Sequence, residues 1–532
     1  MIVNILIFIV GLAVYAGYGI PGLIYLAGGV RLSWGCGLLT PKRRWAAWVS
    51  ILLNSVSLLL LKLQPETGIS WISAVGLSYF TLQIISYNAD IYKGKYPPEK
   101  NLFYYALHIT WIPHILLGPI ERHDAMVPQL RSREKLGWDG ISQGVERILW
   151  GLFKKLVIAG RISVIISAIS ADTGKFSGAF AALAMLLYSL QLYSDFSGGI
   201  DMVLGASQML GVTMSENIST PYFSQSVAEF RRRWHMTLGR WLKDFFYIPL
   251  GGSRKGKVLK VFYTVVTFLV SGLWHGVQYL LWGLFNGIFV SLGTKLQTKW
   301  KTVNRIGTFL AISVLWAFFV WPDAVTALKM IGSVFTVFNY GSLIPELQAM
   351  ALTGGDWIVL GVALLILWAV DLWGRRLQAW FTGLCPAGRL AFIGLMGMLV
   401  MVFGMYGLGF NAGDFIYGQF KEVLMHMNKN LKTALSITAV VIGFLAVFGL
   451  ITRLLSPKYM TDLEEGSMIS AYYDQAGGHD VIFIGDCELY ANFSPLEMYR
   501  THGITAYVRG NSQQLIWQSY YVLRETFSYE SP

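Results

Sequence analysis

Apolar runs of bilayer-crossing length recur through the first 455 positions, and no other feature restricts the fold as strongly. Crossing about 30 Å of hydrocarbon takes roughly 20 helical residues. Runs of that order lie near 2–28 (broken at Pro21), 45–63, 70–88, 103–120, 145–170, 178–195, 258–271, 275–293, 306–322, 357–373, 389–409 and 434–452. They predict an all-α polytopic membrane protein with about 11–13 transmembrane or re-entrant helices. Helices must carry the spans, because backbone polar groups in lipid need partners within the segment. The composition agrees: 54% of the 532 residues are hydrophobic and 14% charged, more apolar surface than a soluble core of this length uses. The first run has no positive residues before it, which reads against a cleaved signal peptide.

Charge is unevenly spread. From Leu455 onward there are four Lys/Arg and ten Asp/Glu, a net of −6, which leaves +18 of the total +12 for residues 1–454. Basic clusters at Lys42–Arg44, Arg231–Lys260 and Lys295–Lys301 fit cytoplasmic loops under the positive-inside tendency. In a chain this apolar they do not point to nucleic acid. Cys36, Cys385 and Cys487 are far apart, with no CxxC pair and no His/Cys cluster at ligand spacing, so no metal is expected.

Two histidines stand out. In "EFRRRWHMTLGRWLKDFFYIPLGGSRKG", residues 229–256, Trp234, Leu238, Trp241, Leu242, Phe245 and Ile248 recur at helical steps and predict one apolar face. This suits a helix lying in or dipping into the headgroup region; a solvated basic loop anchored by aromatics is the plainer alternative. His235 falls where that basic collar meets the apolar interior, a suitable mouth for an anionic donor such as a coenzyme A thioester. In "FLVSGLWHGVQYLLWGLFNG", His275 lies within an apolar stretch between Gly272 and Gly276, glycines that permit close approach of a backbone or a substrate. An intramembrane imidazole is either a hydrogen-bonded structural group or a functional one. Its ordinary pKa near 6.5 suits it to take a proton from an attacking hydroxyl.

"AEFRRRWHMTLGRWLKDFFYIPLGGSRKG" resembles a signature of the membrane-bound O-acyltransferase (MBOAT) family, in particular its bacterial branch of alginate O-acetylation and teichoic acid D-alanylation proteins. In family order, "SYFTLQIISYNADIYKG" (78–94), "LLGPIERHDAMVPQL" (116–130), "YSDFSGGIDMVLGASQMLG" (193–211), "ENISTPYFSQSVAEF" (216–230) and "SGLWHGVQYLLWG" (271–283) resemble it too. The likeness covers about residues 1–455. It implies that His275 is the catalytic histidine and His235 the second histidine of a tunnel crossing a thinned membrane core. It also puts Tyr193, Asp195, Asp201 and Asn217 at polar positions of the tunnel, while Arg231, Arg232 and Arg233 of the basic collar are candidates to bind the anionic donor or anionic lipid headgroups. It further implies a plasma-membrane acyltransferase with no permanently bound cofactor, which moves an acyl group from a cytosolic thioester such as acetyl-CoA to a hydroxyl acceptor reached from the other side.

Residues 456–479 read as a polar linker, and 480–532 as strand, helix, strand, helix. Val481–Ile484 is an all-apolar run of the kind found in buried parallel strands. Gly485-Asp486-Cys487 follows it and resembles the Gly-Asp-Ser block of SGNH/GDSL hydrolases and acyltransferases, with cysteine for serine; Gly510 would be an oxyanion-hole contributor. Two strands cannot close a doubly wound sheet, and about 50 residues bury too little surface to stand alone. The segment, expected on the extracytoplasmic side, is either a remnant or is completed by a separate SGNH-type chain. Cys487 is correspondingly an inert thiol or an acyl-accepting nucleophile. The preferred function is acetyl transfer in cell-envelope or exopolysaccharide modification. The alternatives are D-alanyl transfer to teichoic acid, a transporter, or a non-catalytic assembly platform; a transporter would show internal repeats, which are not evident.

Overall fold

The structure is a computed structural model that describes residues 2–17, 20–67, 76–114, 117–132, 137–293, 297–349, 352–405, 472, 478–485, 492–510 and 516–529. It separates into two compact units, Met1–Asn428 and Lys429–Pro532.

In the first unit the initial apolar run forms α1 (Ile2–Gly17) and α2 (Ile20–Leu39), and the next two form α3 (Trp45–Thr67) and α4 (Leu77–Tyr92). The run at 103–120 gives only the eight residues of α5 (Leu102–Ile109) and a 3-10 turn at Ile112–His114. Pro113 and Pro119 supply no amide hydrogens to prolong it. After α6 (His123–Arg131), a rod runs through α7 (Trp138–Leu152), a π-helical stretch Phe153–Ala159 and α8 (Gly160–Ala171). The 31-residue α9 (Ala179–Met209) follows, then the short α10 (Val227–Arg233) and α11 (Met236–Leu242). The remaining helices are α12 (Lys257–His275), α13 (Leu280–Leu292), α14 (Lys301–Val320), α15 (Ala324–Thr336), α16 (Leu343–Ala349), α17 (Gly354–Gly383) and α18 (Pro386–Phe403).

Apart from the run at 103–120, each apolar run that falls on described residues coincides with helix over most of its length; the run at 434–452 lies outside them, as do the expected boundary at 455 and nearly all of the linker 456–479. Among the described residues six helices are long and apolar enough to span, or seven when the pair Ala324–Thr336 and Tyr340–Gln348, bent by 100°, counts as one. One of the other apolar runs serves the interior: 14 of the 16 residues of α4 are buried, from Leu77 to Ile91. Hydropathy alone does not separate a helix wrapped in lipid from one wrapped in protein.

The central strut is α9, 72% of whose apolar window is buried, against 11% for α18. It lies against α7 at glycine contacts, where a Cβ on Gly151 would come within 2.4 Å of the Gly198 carbonyl oxygen. Lipid tails are as apolar as leucine, so close backbone approach at small residues replaces the hydrophobic drive of a soluble core. The same interface carries charge. Lys154 and Lys155 of the π-helical stretch pair with Asp201 and Asp195 of α9, and Arg147 of α7 reaches Asp201 at 3.0 Å and Glu216 at 2.7 Å. Pairing of this kind is what makes ionisable groups tolerable at membrane depth.

In the second unit, β1 (Val481–Gly485), α19 (Pro495–His502), β2 (Ala506–Gly510) and α20 (Ile516–Thr526) occur in the order read from the sequence. The strands are parallel, in register from Val481 with Ala506 to Gly485 with Gly510. Arg509 is buried beneath α20, donating to Thr526 Oγ1 at 2.8 Å and pairing with Glu525 at 2.6 Å. Asp486 and Cys487 lie outside the described residues.

Candidate active site

α12 and α13 form a hairpin with lysines at both ends: Lys257 and Lys260 begin it, and Lys299 and Lys301 follow it. His275 is the last residue of α12 and stands at the tip. Close approach of the two arms needs glycine, since a Cβ on Gly272 would meet the Tyr279 carbonyl oxygen at 2.5 Å and one on Gly283 the Phe268 carbonyl oxygen at 2.4 Å. Gly276, with φ 150°, ends the helix while its amide still donates to the Gly272 carbonyl at 3.0 Å. The two glycines beside His275 therefore serve the hairpin's own backbone.

Four aromatic rings stand nearly perpendicular to the His275 imidazole: Trp274 at 4.7 Å, Trp282 at 5.4 Å, Phe319 at 5.6 Å and Tyr279 at 6.2 Å between centroids. Edge-to-face contacts on several sides fix the plane of the imidazole. Behind them Trp282 stacks on Trp316 of α14.

His235 occupies the junction of α10 and α11. The continuous amphipathic helix expected over 234–248 is broken there, because His235 adopts φ 47° and ψ 55°. Trp234 joins the main core, Leu238 and Leu242 pack in a separate cluster with Tyr79 and Ile120, and Ile248 is exposed. The His235 side chain is buried among Phe196 at 5.1 Å, Trp274 at 6.0 Å and Tyr79 at 6.5 Å. Neither ring nitrogen has a hydrogen-bond partner among the described residues. Trp274 thus touches both histidines, so the structure brings together the pair singled out in the sequence.

The arginine run divides by helical geometry. Arg231 turns inward: its Nε donates to Asn286 Oδ1 at 2.9 Å and its guanidinium lies over Trp282 at 4.7 Å and Trp316 at 5.2 Å. Arg232 is exposed, and Arg233 pairs with Glu229 at 2.7 Å. Consecutive residues on a helix point about 100° apart, so three arginines in a row do not make one collar.

Asn217 is fully buried beside His235. Its carbonyl oxygen accepts from Met236 N at 2.8 Å, and its Oδ1 accepts from Thr237 N at 3.0 Å and Thr237 Oγ1 at 2.8 Å. Tyr193 donates to the Asp371 carboxylate at 2.8 Å, while Asp195 and Asp201 belong to the ion pairs along α9. None of those pairs includes a histidine. Thr237 also lines a polar cavity of about 450 Å³ together with Arg240, Asp244, Asp90, Glu121 and Arg122. Arg122 closes one side of it, reaching Asp244 at 2.9 Å and Asp90 at 3.4 Å.

Sequence reasoning passed over Trp274, Trp282, Phe319 and Thr237. The first two lie inside the segment that singled out His275, and their spacing around it was the available signal. Phe319 comes from α14 and carries no local mark.

A helical membrane protein with two histidines, His235 buried and His275 half-buried, meeting at one tryptophan is the class of molecule these elements define. The sequence profile of the membrane-bound O-acyltransferase family matches residues 33–337, and the chain belongs to that family. It is an O-acyltransferase. A protein of Pseudomonas fluorescens named "Probable alginate O-acetylase AlgI" is 34% identical over 63% of this chain and 67% of its own length. The peptidoglycan O-acetyltransferase of Helicobacter pylori is 32% identical over 48% of this chain and 56% of its own, and the teichoic acid D-alanyltransferase of Bacillus subtilis is 28% identical over 46% and 67%. The chain therefore spans between about half and two thirds of the length of these relatives. The family match ends before the residues compared above with SGNH proteins.

Proposed function

We propose that the chain transfers an acetyl group from a cytosolic thioester of the coenzyme A type to a hydroxyl of a cell-envelope or secreted polysaccharide, with His275 as the base. The carrying observation is the meeting of His275 and His235 at Trp274. In this reading His275 takes the proton of the acceptor hydroxyl as its oxygen attacks the thioester carbonyl. The C–O bond forms, the C–S bond breaks, and the proton passes to the departing thiolate, which leaves as thiol. His235, among rings and with both nitrogens without a protein partner among the described residues, contacts the thioester end of the donor. Acetyl is favoured over D-alanyl because identity is higher to the acetyltransferase relatives than to the D-alanyltransferase.

In the plasma membrane, the site would take its donor from the cytosol and its acceptor from the opposite side. The acceptor hydroxyl would be presented directly or by a separately encoded SGNH-type chain that completes the sheet begun by β1 and β2. Transfer of labelled acetyl from acetyl-CoA in nanodiscs, with labelled D-alanyl thioester as competitor, tests the reading. His275→Ala should lower the rate by about 10²–10⁴-fold, as for loss of a general base, with protein level unchanged. Near-normal turnover by that variant refutes the role of His275. Normal polysaccharide modification in cells carrying it would point to a non-catalytic platform.

A further inference from the structure

Among the described residues only Thr220 and His235 combine a side chain with positive φ, at 39° and 47°. Left-handed backbone is costly for any residue bearing a Cβ, and it persists where the surroundings over-determine it. Both residues lie on one small staple. The Ser219 amide donates to the Arg233 carbonyl at 2.9 Å, before His235, and the Met236 amide donates to the Asn217 carbonyl at 2.8 Å, after it.

The staple closes on Thr237, whose amide donates to Asn217 Oδ1 at 3.0 Å and whose hydroxyl adds two more bonds. Thr237 Oγ1 donates to Asn217 Oδ1 at 2.8 Å and accepts from the Ile120 amide at 3.0 Å, so it ties three segments that are distant in sequence. Thr237 is 4% exposed and Asn217 0%, so water does not compete for these bonds. The His235 imidazole has no hydrogen bond of its own to a described residue. Its direction is set by the backbone and by the rings of Phe196, Trp274 and Tyr79.

Resting on the role proposed for His235, we infer that Thr237 is a positioning residue: its hydroxyl locks His235 in the left-handed conformation that leaves both ring nitrogens to the substrate. Thr237→Val keeps the shape and removes the hydroxyl. Thr237→Ser keeps the hydroxyl.

The experiment places these variants, in the full chain and in nanodiscs, against labelled acetyl-CoA and the acceptor, each in the wild-type and in the His235→Ala background. A misplaced imidazole should cost Thr237→Val about 10–100-fold in kcat with KM for either substrate unchanged. Thr237→Ser should restore most of it. With His235 already removed, Thr237→Val should cost nothing further, since groups that act as a unit are not additive. An equal fractional loss in both backgrounds, or a Thr237→Ser chain as poor as Thr237→Val, overturns the inference. Should Thr237→Val fail to accumulate, Thr237→Cys, of similar volume and weak as a hydrogen-bonding group, carries the same expectations. A wild-type chain that transfers no label refutes the proposed donor; an active wild type with an additive cycle refutes the lock alone.

Discussion

Gly272→Ala puts a methyl group into the seam of the α12–α13 hairpin. The new Cβ would lie 2.5 Å from the Tyr279 carbonyl oxygen and 3.4 Å from the Gly283 Cα. Ordinary contact begins at about 3.4 Å, so the arms must part by about 0.9 Å at a point three residues from His275. Overpacking of this kind costs about 1–3 kcal/mol. Displacing a reacting group by about 1 Å costs on the order of 10²-fold in rate. The expectation is a modest fall in thermal midpoint, read by size-exclusion after heating, and a fall of about 10²-fold in kcat for acetyl transfer. Gly307→Ala on α14 is the control: nothing lies within 4 Å of its added Cβ. There, alanine's better helix propensity should leave stability equal or raised by up to about 1 kcal/mol, with the rate unchanged. A Gly272→Ala chain that turns over like the wild type would show that the seam does not set the position of His275.

Arg231→Gln, which removes the cation lying over Trp282 and Trp316, should abolish transfer, whereas Arg232→Glu on the exposed side should raise KM for the anionic donor, with added salt mimicking it in part. Lys155→Met takes the ammonium partner from the buried Asp195 and should destabilise by about 3–5 kcal/mol, most of which Lys155→Met/Asp195→Leu should recover in thermal unfolding. If Cys487 accepts an acyl group, hydroxylamine-sensitive label from the acetyl donor should appear on it only when an SGNH-type partner chain is co-expressed, and should vanish in Cys487→Ala; label on the isolated chain would contradict the need for a partner.

The apolar runs announced where helix would form because hydropathy and helix length are both local properties. His275 was legible for the same reason, as an imidazole in a greasy stretch between glycines. The break at His235 was not. Trp234-His235-Met236 contains neither glycine nor proline, and its turn is imposed by Asn217, far back in the chain. The six residues assigned to one apolar face of 234–248 have helical spacing in the sequence, yet the turn at His235 sends Trp234 and Leu238 into different clusters and the helix becomes π-helical at Lys243–Tyr247. The bent helix pair from Ala324 escaped notice because Lys329, Asn339 and Glu346 interrupt its apolar character. Asp195 and Asp201 of α9 stood out only through the family resemblance; the lysines that pair with them, on a different helix, carried no mark in the sequence.

That pairing along α9 bears on how the chain enters a membrane during synthesis. An aspartate near the middle of an isolated spanning helix costs about 2.5–3.5 kcal/mol on the insertion scale, so Asp195 and Asp201 together oppose the release of α9 into lipid by about 6 kcal/mol. Lys154 and Lys155, which neutralise them, leave the ribosome some 40 residues sooner. The cationic rod must therefore wait beside the translocon until its acidic mate arrives, and the two go into the bilayer as a unit. A nascent chain halted after α8 should be poorly integrated in glycosylation mapping, and one extended past Met209 fully integrated.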